Sequence, residues 1–188
     1  FMKTIIIDTS HSLLAVGLVE DGKIIHSRQE VVQKKQSEYL LLYVDELMKE
    51  AQWKPKDLDR LVITDGPGSY TGMRIGITFA KTLALTHPTM EVFTVDTLLS
   101  LMGKTTGFAF IDARSKRVFG AYGDEGAIRD ERVYQFEELS DITCDMFGDT
   151  SLFGEVNRYG NVIENILAVE SSWVPVEDSD LLVPRYIK

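Results

Sequence analysis

Asp65-Gly66-Pro67-Gly68-Ser69-Tyr70-Thr71-Gly72, with the run from Met73 to His87 behind it, is the stretch whose reading decides the fold. Ahead of it Arg60-Leu61-Val62-Ile63-Thr64 reads as a short buried strand, and behind it apolar residues recur at helical spacing. The order is strand, glycine loop, helix. Gly66, Gly68 and Gly72 let the backbone turn where a side chain would clash, and Pro67 fixes its own φ and keeps Gly66 out of the helical region. Ser69 or Thr71 can cap the helix and leave amides free to face an anion. From spacing alone, a turn that binds nothing is the plainer reading than a phosphate cradle. No Gly-Lys-Ser/Thr follows, so this is not a Walker loop, and Ser69 does not sit in Gly-x-Ser-x-Gly, so it is not a nucleophile elbow.

On the helix, Ile75, Phe79 and Leu83 fall on one side and Met73, Ile77 and Ala84 on another, with Gly76 and Ala80 between. An apolar arc of about half the circumference exceeds what packing on one sheet requires. Gly72, Gly76, Ala80 and Ala84 form a row of small residues that would let a second helix come close. That helix is either internal or supplied by another protein.

The chain has 188 residues, 44% hydrophobic and 26% charged, which is ordinary for a globular protein of one domain or two small ones. A net charge of −9 argues against a surface that grips a phosphate backbone by itself, so any RNA is expected to be held by another subunit. The single cysteine, Cys144, can form neither an internal disulfide nor a zinc site and is expected to pack as a small apolar residue. No run reaches membrane-spanning length and no signal peptide is visible, so a cytoplasmic location is expected. Phe1 ahead of Met2 reads as an expression scar.

Taken in order, Thr4–Ile7 ends at Asp8, and Leu13–Val19, the turn Glu20-Asp21-Gly22 and Lys23–Glu30 complete an antiparallel meander. A helix is expected from Ser37, with capping chemistry in Gln36-Ser37-Glu38, to Ala51. Its broad buried face holds Leu40, Leu41, Tyr43, Val44, Leu47, Met48 and Ala51, while Tyr39 and Leu42 lie opposite, beside Glu38, Glu46 and Lys49. Two early helices with surplus apolar surface suggest a partner. Pro88 ends the second helix, Glu91–Val95 is a strand and Asp96–Met102 a short helix, giving βββαβαβ. The second half repeats this in outline: Phe108–Ile111 ends at Asp112, which precedes Gly126 and Ile128 by the spacings that separate Asp8 from Gly22 and Ile24. Val118–Tyr122, Arg132–Phe136 and a short helix from Phe136 to Leu139 follow. A strand at Ser151–Phe153, a helix at Val162–Ala168 and wrapping segments at Trp173–Val176 and Leu182–Ile187 complete the chain. Two lobes are expected, residues 2–103 and a shortened 104–188.

The histidines, His11, His26 and His87, have no metal-ligand spacing and are expected in surface or loop positions. Asp8 and Asp112 could face each other across a cleft as metal or general-base groups, or cap their own turns. Arg114 and Arg117 could bind an anion, local pairing being the plainer expectation. Nothing forms a catalytic triad.

The order βββαβαβ with a duplicated Asp-ended strand resembles the actin-like, sugar-kinase-like ATPase superfamily, with βββαβα lobes of which the second is shortened. More narrowly, Ile7-Asp8-Thr9-Ser10, Leu58-Asp59, Gly66 to Gly76, Ala80-Lys81-Thr82-Leu83-Ala84, Asp112-Ala113-Arg114 and Pro184-Arg185-Tyr186-Ile187-Lys188 look like the TsaB (YeaZ) family. The resemblance implies a non-catalytic scaffold or dimerisation subunit that docks on the catalytic TsaD in making threonylcarbamoyladenosine on tRNA, with the ATPase TsaE as a third member. It implies no cofactor in the isolated chain, ATP and metal on partner subunits, tRNA contact only through the complex, and a homodimer when the chain is alone. Where TsaD carries a His-x-x-x-His metal pair, this chain has Thr97 and Leu101, which cannot replace imidazoles. It also departs from its own family at Gln36, often His, at Leu42, often Pro, and in its shorter second lobe.

The expected partner interface is Tyr39, Leu42, Tyr43, Glu46, Gly72, Met73, Gly76, Ile77, Ala80 and Ala84. The expected loops at the lobe cleft are Asp8, Thr9, Ser10, Gly66, Pro67, Gly68, Ser69, Thr71, Asp112 and Arg114. No catalytic residue and no metal ligand is expected. An ATP-dependent small-molecule kinase using Asp8 is the alternative, but Thr9-Ser10-His11-Ser12 lacks the glycine such enzymes carry after the first strand. A peptidase lacks any nucleophile arrangement.

Overall fold

The structure, a computed structural model, describes residues 1–187. Strands β1 (Lys3–Asp8), β2 (Leu13–Glu20) and β3 (Lys23–Val31) form the expected meander, followed by α1 (Gln36–Ala51), β4 (Arg60–Gly66), α2 (Tyr70–Thr86), β5 (Glu91–Asp96) and α3 (Thr97–Met102). The second unit has β6 (Gly107–Arg114), β7 (Arg117–Asp124), β8 (Ala127–Gln135), β9 (Met146–Gly148), α4 (Val162–Ala168) and β10 (Val174–Val176). One sheet runs β10-β5-β4-β1-β2-β3 and the other β8-β7-β6-β9. In each, an antiparallel meander is extended by a strand parallel to its first: β4 beside β1, and β9 beside β6. The internal repeat is therefore real. The expected division at 103/104 separates the two sheets except at β10, which returns to pair antiparallel with β5 on the edge of the first.

The period of two along β1 and β4 sends Ile5, Ile7, Leu61 and Ile63 to one face and Ile6 and Val62 to the other. Both faces are buried, as a sheet with parallel crossovers requires. On one lie α1 and α2, through Leu40, Tyr43, Leu47, Ile77 and Ala80. On the other, α3 and α4 are sandwiched against Ala109, Ile111 and Ala121 of the second sheet. The outer face of the second sheet carries a smaller aromatic cluster around Phe108, Phe110 and Tyr134.

Several expectations change. Lys35, not the Gln36-Ser37-Glu38 segment, occupies the cap of α1 and makes no side-chain cap bond. Gln36 turns inward and donates to the His11 carbonyl. Ser69 rather than Thr71 caps α2, accepting from Gly72 N at 3.2 Å. Residues 150–153 form a single helical turn, the strand being Met146–Gly148 instead, since it is this segment that reaches Phe108–Phe110 in register. Leu41, expected on the buried face of α1, is 62% exposed. Cys144 is exposed, not packed.

The small-residue row of α2 faces inward. Gly72 lies against the Thr9 carbonyl, and a Cβ at Gly76 would sit 2.6 Å from Thr9 Oγ1. Thr9 Oγ1 in turn donates to the Gly72 carbonyl at 2.7 Å. The close approach that the glycines permit is therefore made by the loop after β1, not by a second helix. Gly76→Leu should cost about 1–3 kcal/mol by overpacking and lower Tm by about 3–10 °C. Thermal denaturation checks this, and an unchanged Tm would contradict the inward packing.

Candidate functional site

Three features meet where strands β1, β4 and β5 end. The first is the junction at Asp8. Asp8 is fully buried, and its Oδ1 accepts from Ser10 N at 2.9 Å and Thr64 Oγ1 at 2.8 Å. Its Oδ2 faces Ser100 Oγ at 3.4 Å and forms an ion pair with His11 Nε2 at 3.5 Å. Burial by itself would raise the Asp8 carboxyl, but the charge of His11 and these hydrogen bonds outweigh it and hold the group below its ordinary value. Burial would likewise lower His11, and the Asp8 carboxylate, helped by Asp149, raises it instead. His11, expected at the surface, is buried because its ring packs on Tyr159 of the second lobe, centroids 5.3 Å apart. His87 reaches the Leu58 carbonyl at 2.6 Å and His26 pairs with Glu50 at 3.3 Å.

Asp112 does not face Asp8. It is exposed, and its Oδ1 accepts from Arg114 N at 2.8 Å. The second lobe's approach to the junction is made by Asp149, which accepts from Asp112 N at 2.7 Å and from Tyr159 Oη at 2.5 Å. Arg114 and Arg117, expected to pair locally, take part in no carboxylate ion pair among the described residues.

The glycine loop closes over this junction. Gly68 is pressed against the Ser10 carbonyl, which also accepts from Ser69 N at 2.7 Å. Pro67 is buried and Thr71 exposed. Gly66, at φ +132°, is crossed by the carbonyl of Arg185 in the tail. The Arg185 guanidinium donates to Glu131 and Asp96 at 2.5 Å each and to the Gly66 carbonyl at 2.7 Å, with Asp65 at 3.7 Å. This clamp ties the ends of β4 and β5 to β8 of the other sheet. Burial, with the nearby charge of Glu131, pushes the Asp96 carboxyl well up against the opposing pull of Arg185. The sequence signalled Arg185 only as part of a quoted motif. Its three acidic partners come from distant segments and could not be read in advance.

The third feature is a groove of about 490 Å³ between α1 and α2. Its walls are Leu40 and Leu41 on one side and Tyr70, Ile75 and Phe79 on the other, with Ser37, Thr71, Arg74, Thr78 and Thr82 around them. Leu41 and Tyr70 are 62% and 58% exposed, Leu42 is 45% exposed and Leu85, further along α2, is 72% exposed. Tyr186 of the tail stacks on Tyr70 at 5.6 Å. Of the expected interface residues, Leu42 is exposed, while Tyr39, Glu46 and Ala84 are half-buried. Tyr43, Met73, Ile77 and Ala80 belong to the chain's own core, and Gly72 and Gly76 are covered by Thr9. Tyr43 donates to Glu30 under the Arg28 guanidinium, and burial with that bond pushes its hydroxyl up to about 12. Glu46 pairs with Arg28 at 2.7 Å.

As chemistry, the Asp8 carboxylate is satisfied while the buried His11 ring, ion-paired with it at 3.5 Å, makes no hydrogen bond through either nitrogen. The Asp8 oxygens are engaged by four neighbours, so the carboxylate is not free to take a proton from a substrate hydroxyl. Thr97 and Leu101, both buried in α3, offer a metal no imidazole or carboxylate, and the described residues contain no group of three or more potential metal ligands.

The duplicated lobes, with α3 and α4 between two like sheets, place the chain in the actin-like, sugar-kinase-like ATPase fold. The chain belongs to the family described as TsaD: tRNA N6-adenosine threonylcarbamoyltransferase, whose model matches residues 22–143, and its relatives include the TsaB (YeaZ) proteins. It is 33% identical to the tRNA threonylcarbamoyladenosine biosynthesis protein TsaB of Bacillus subtilis, over 70% of this chain and 60% of that one. It is 31% identical to the protein of the same name from Escherichia coli, over 64% of this chain and 54% of that one. The matches thus span less than two thirds of these relatives' length. Among solved structures, YeaZ from Pseudomonas aeruginosa superposes with a TM-score of 0.77 at 21% identity, covering the whole of both chains. No described helix is long and apolar enough to cross a membrane.

The His11–Asp8 pair makes stability depend on pH. His11 has a raised folded pKa, so its contribution is full below the unfolded value near 6.5 and is lost as pH rises through the folded value. Asp8 has a lowered one, so its contribution holds above the unfolded value of 3.8 and is lost as pH falls below it. Chemical denaturation from pH 4 to 9 should therefore show stability declining on the alkaline side above about pH 6.5. His11→Gln should lack that decline, whereas an identical alkaline profile in the variant would contradict the assignment.

Proposed function

We propose that this chain is a non-catalytic subunit in the biosynthesis of threonylcarbamoyladenosine on tRNA, docking on a TsaD-like paralogue through α1 and α2. The observation that carries the reading is the apolar groove between those helices, open to solvent on a chain whose own core is already closed beneath it. The names of its TsaB relatives support the pathway, and its membership of the TsaD family supports a paralogue of the same fold as partner. Helix pairing across like surfaces also gives the isolated chain a route to a two-fold homodimer. A TsaE-like ATPase and tRNA would then meet this chain only in the complex.

The groove, rather than the glycine row, is where substitutions should act on binding. Leu41→Asp with Leu42→Asp changes exposed positions, so Tm should stay within about 0.5 kcal/mol of wild type in equivalent stability. Affinity for the TsaD-like subunit should fall by roughly 2 kcal/mol, or about 30-fold, and self-association should weaken in sedimentation. Normal binding by the double variant would sink the docking reading.

The alternative, a small-molecule kinase, has the fold in its favour. It requires a nucleotide to enter beside Asp8, where Ser10, His11, Thr64 and Ser100 already stand. Calorimetric titration of the isolated chain with ATP and magnesium should give no low-micromolar binding, and such binding would favour the kinase.

A further inference from the structure

Three two-residue turns close the hairpins of the two sheets: Asp21-Gly22 between β2 and β3, Ser115-Lys116 between β6 and β7, and Glu125-Gly126 between β7 and β8. In all three both central residues have positive φ, the conformation that matches the twist of the flanking strands. Two of them place glycine second, at φ +80° and +88°, where a side chain would be strained. The β6–β7 turn has no glycine. It holds Ser115 and Lys116 at +56° and +57°, and the positive run extends back to Arg114 at +65°, where the ladder is bulged. Three consecutive side-chain-bearing residues are thus kept in the left-handed region, and Lys116 stands where the other two turns have glycine.

The charges are arranged just as unfavourably. Arg114 and Arg117 are direct partners across the ladder, and like charges so placed repel. With Lys116 they put three exposed cations into four residues of a chain whose net charge is −9. The acids around them are occupied elsewhere. Asp112 accepts from the Arg114 backbone, Asp149 from Asp112 N and Tyr159, and Glu138 pairs with Arg132 at 3.1 Å. Backbone strain and charge repulsion at one exposed tip mark a site whose benefit lies outside the folded chain.

We propose that the hairpin tip Arg114–Arg117 binds the phosphate backbone of the RNA handled by the assembled complex. This rests on the reading of the chain as a subunit of a tRNA-modifying assembly. Two guanidinium forks and an ammonium, all without carboxylate partners, suit phosphate oxygens, and such contacts position an RNA without reading its sequence. The base of the tip is joined by hydrogen bonds to the loop after β1. Asp112 reaches Asp149, Tyr159 and Ser12 by successive hydrogen bonds, and Gln36 at the start of α1 bonds the neighbouring His11.

Two variants separate this role from a structural one. Ser115→Asn with Lys116→Gly installs the favoured turn and removes one cation, and Arg114→Gln with Arg117→Gln removes the opposed pair. Each is assembled with the TsaD-like subunit and titrated with unmodified tRNA transcript across a salt series. The turn variant should raise Tm yet reduce the slope of log affinity against log salt by about 1, and the arginine variant should reduce it by about 2, with affinity down about tenfold or more at low salt. Assembly with an unchanged slope in both variants overturns this inference and leaves the docking reading standing. Loss of a protein subunit with RNA affinity intact also overturns it, and assigns the tip to an acidic protein surface. Failure of the wild-type chain to assemble with the TsaD-like subunit overturns both readings together.

Discussion

The close packing of the loop after β1 against the start of α2 is the constraint on which the rest of this structure depends. Gly68 meets the Ser10 carbonyl, and Gly72 and Gly76 meet Thr9, distances that no side chain at those three positions would permit. The contact seats α2 on the sheet in a fixed rotation, with Met73, Ile77 and Ala80 inward. It also lays the glycine loop on the Ser10 carbonyl, two residues after Asp8. Both consequences follow from one steric fact. An α2 rotated by even one residue would lose the Thr9 hydrogen bond and turn its glycines to solvent.

That rotation decides what α2 shows to the outside. With its small residues and one apolar side spent on the chain's own core, α2 leaves Tyr70, Ile75 and Phe79 to line the groove with Leu41 of α1, and Leu42 and Leu85 stay exposed on the same two helices. Surplus apolar surface is costly in water and is retained where something covers it. The junction and the groove are thus two sides of one helix: one side packs on the loop after β1, and the other is open to solvent. The Arg185 clamp adds a second tie, holding the tail across the glycine loop and bringing Tyr186 onto Tyr70 at the rim of the groove.

The fold was legible because its signals are local. The unbroken β-branched run of β1, the Asp-Gly turn, the glycine loop and the repeated spacing from Asp112 to Ile128 each need only a few adjacent residues. The surplus apolar surface of α1 and α2 was legible for the same reason. Its division between core and exterior was not. Helical periodicity finds the angle between residues but not where the sheet lies: it puts Leu41 on the buried face, where the structure exposes it, and leaves the Gly76 row open between an internal and an external partner, where the structure supplies Thr9. His11 looked like a loop residue because Tyr159, which buries it, is 148 positions away in the chain. Repeat symmetry leaves Asp8 and Asp112 either facing each other or capping their own turns; Asp112 does the latter, and Asp149 makes the second lobe's approach. The strained β6–β7 hairpin was visible as Arg114-Ser115-Lys116-Arg117, but its cost became apparent only beside the two glycine turns.

That α2 packs on the loop after β1 with one side and offers the other to a paralogue is tested most directly by hydroxyl-radical footprinting of the chain alone and with the TsaD-like subunit. The account predicts that Leu41, Leu42, Tyr70, Phe79 and Leu85 are labelled in the free chain and protected in the complex, with His11 and Tyr159 unlabelled in both. Protection confined to the second lobe, or strong labelling of His11 in the free chain, would contradict it.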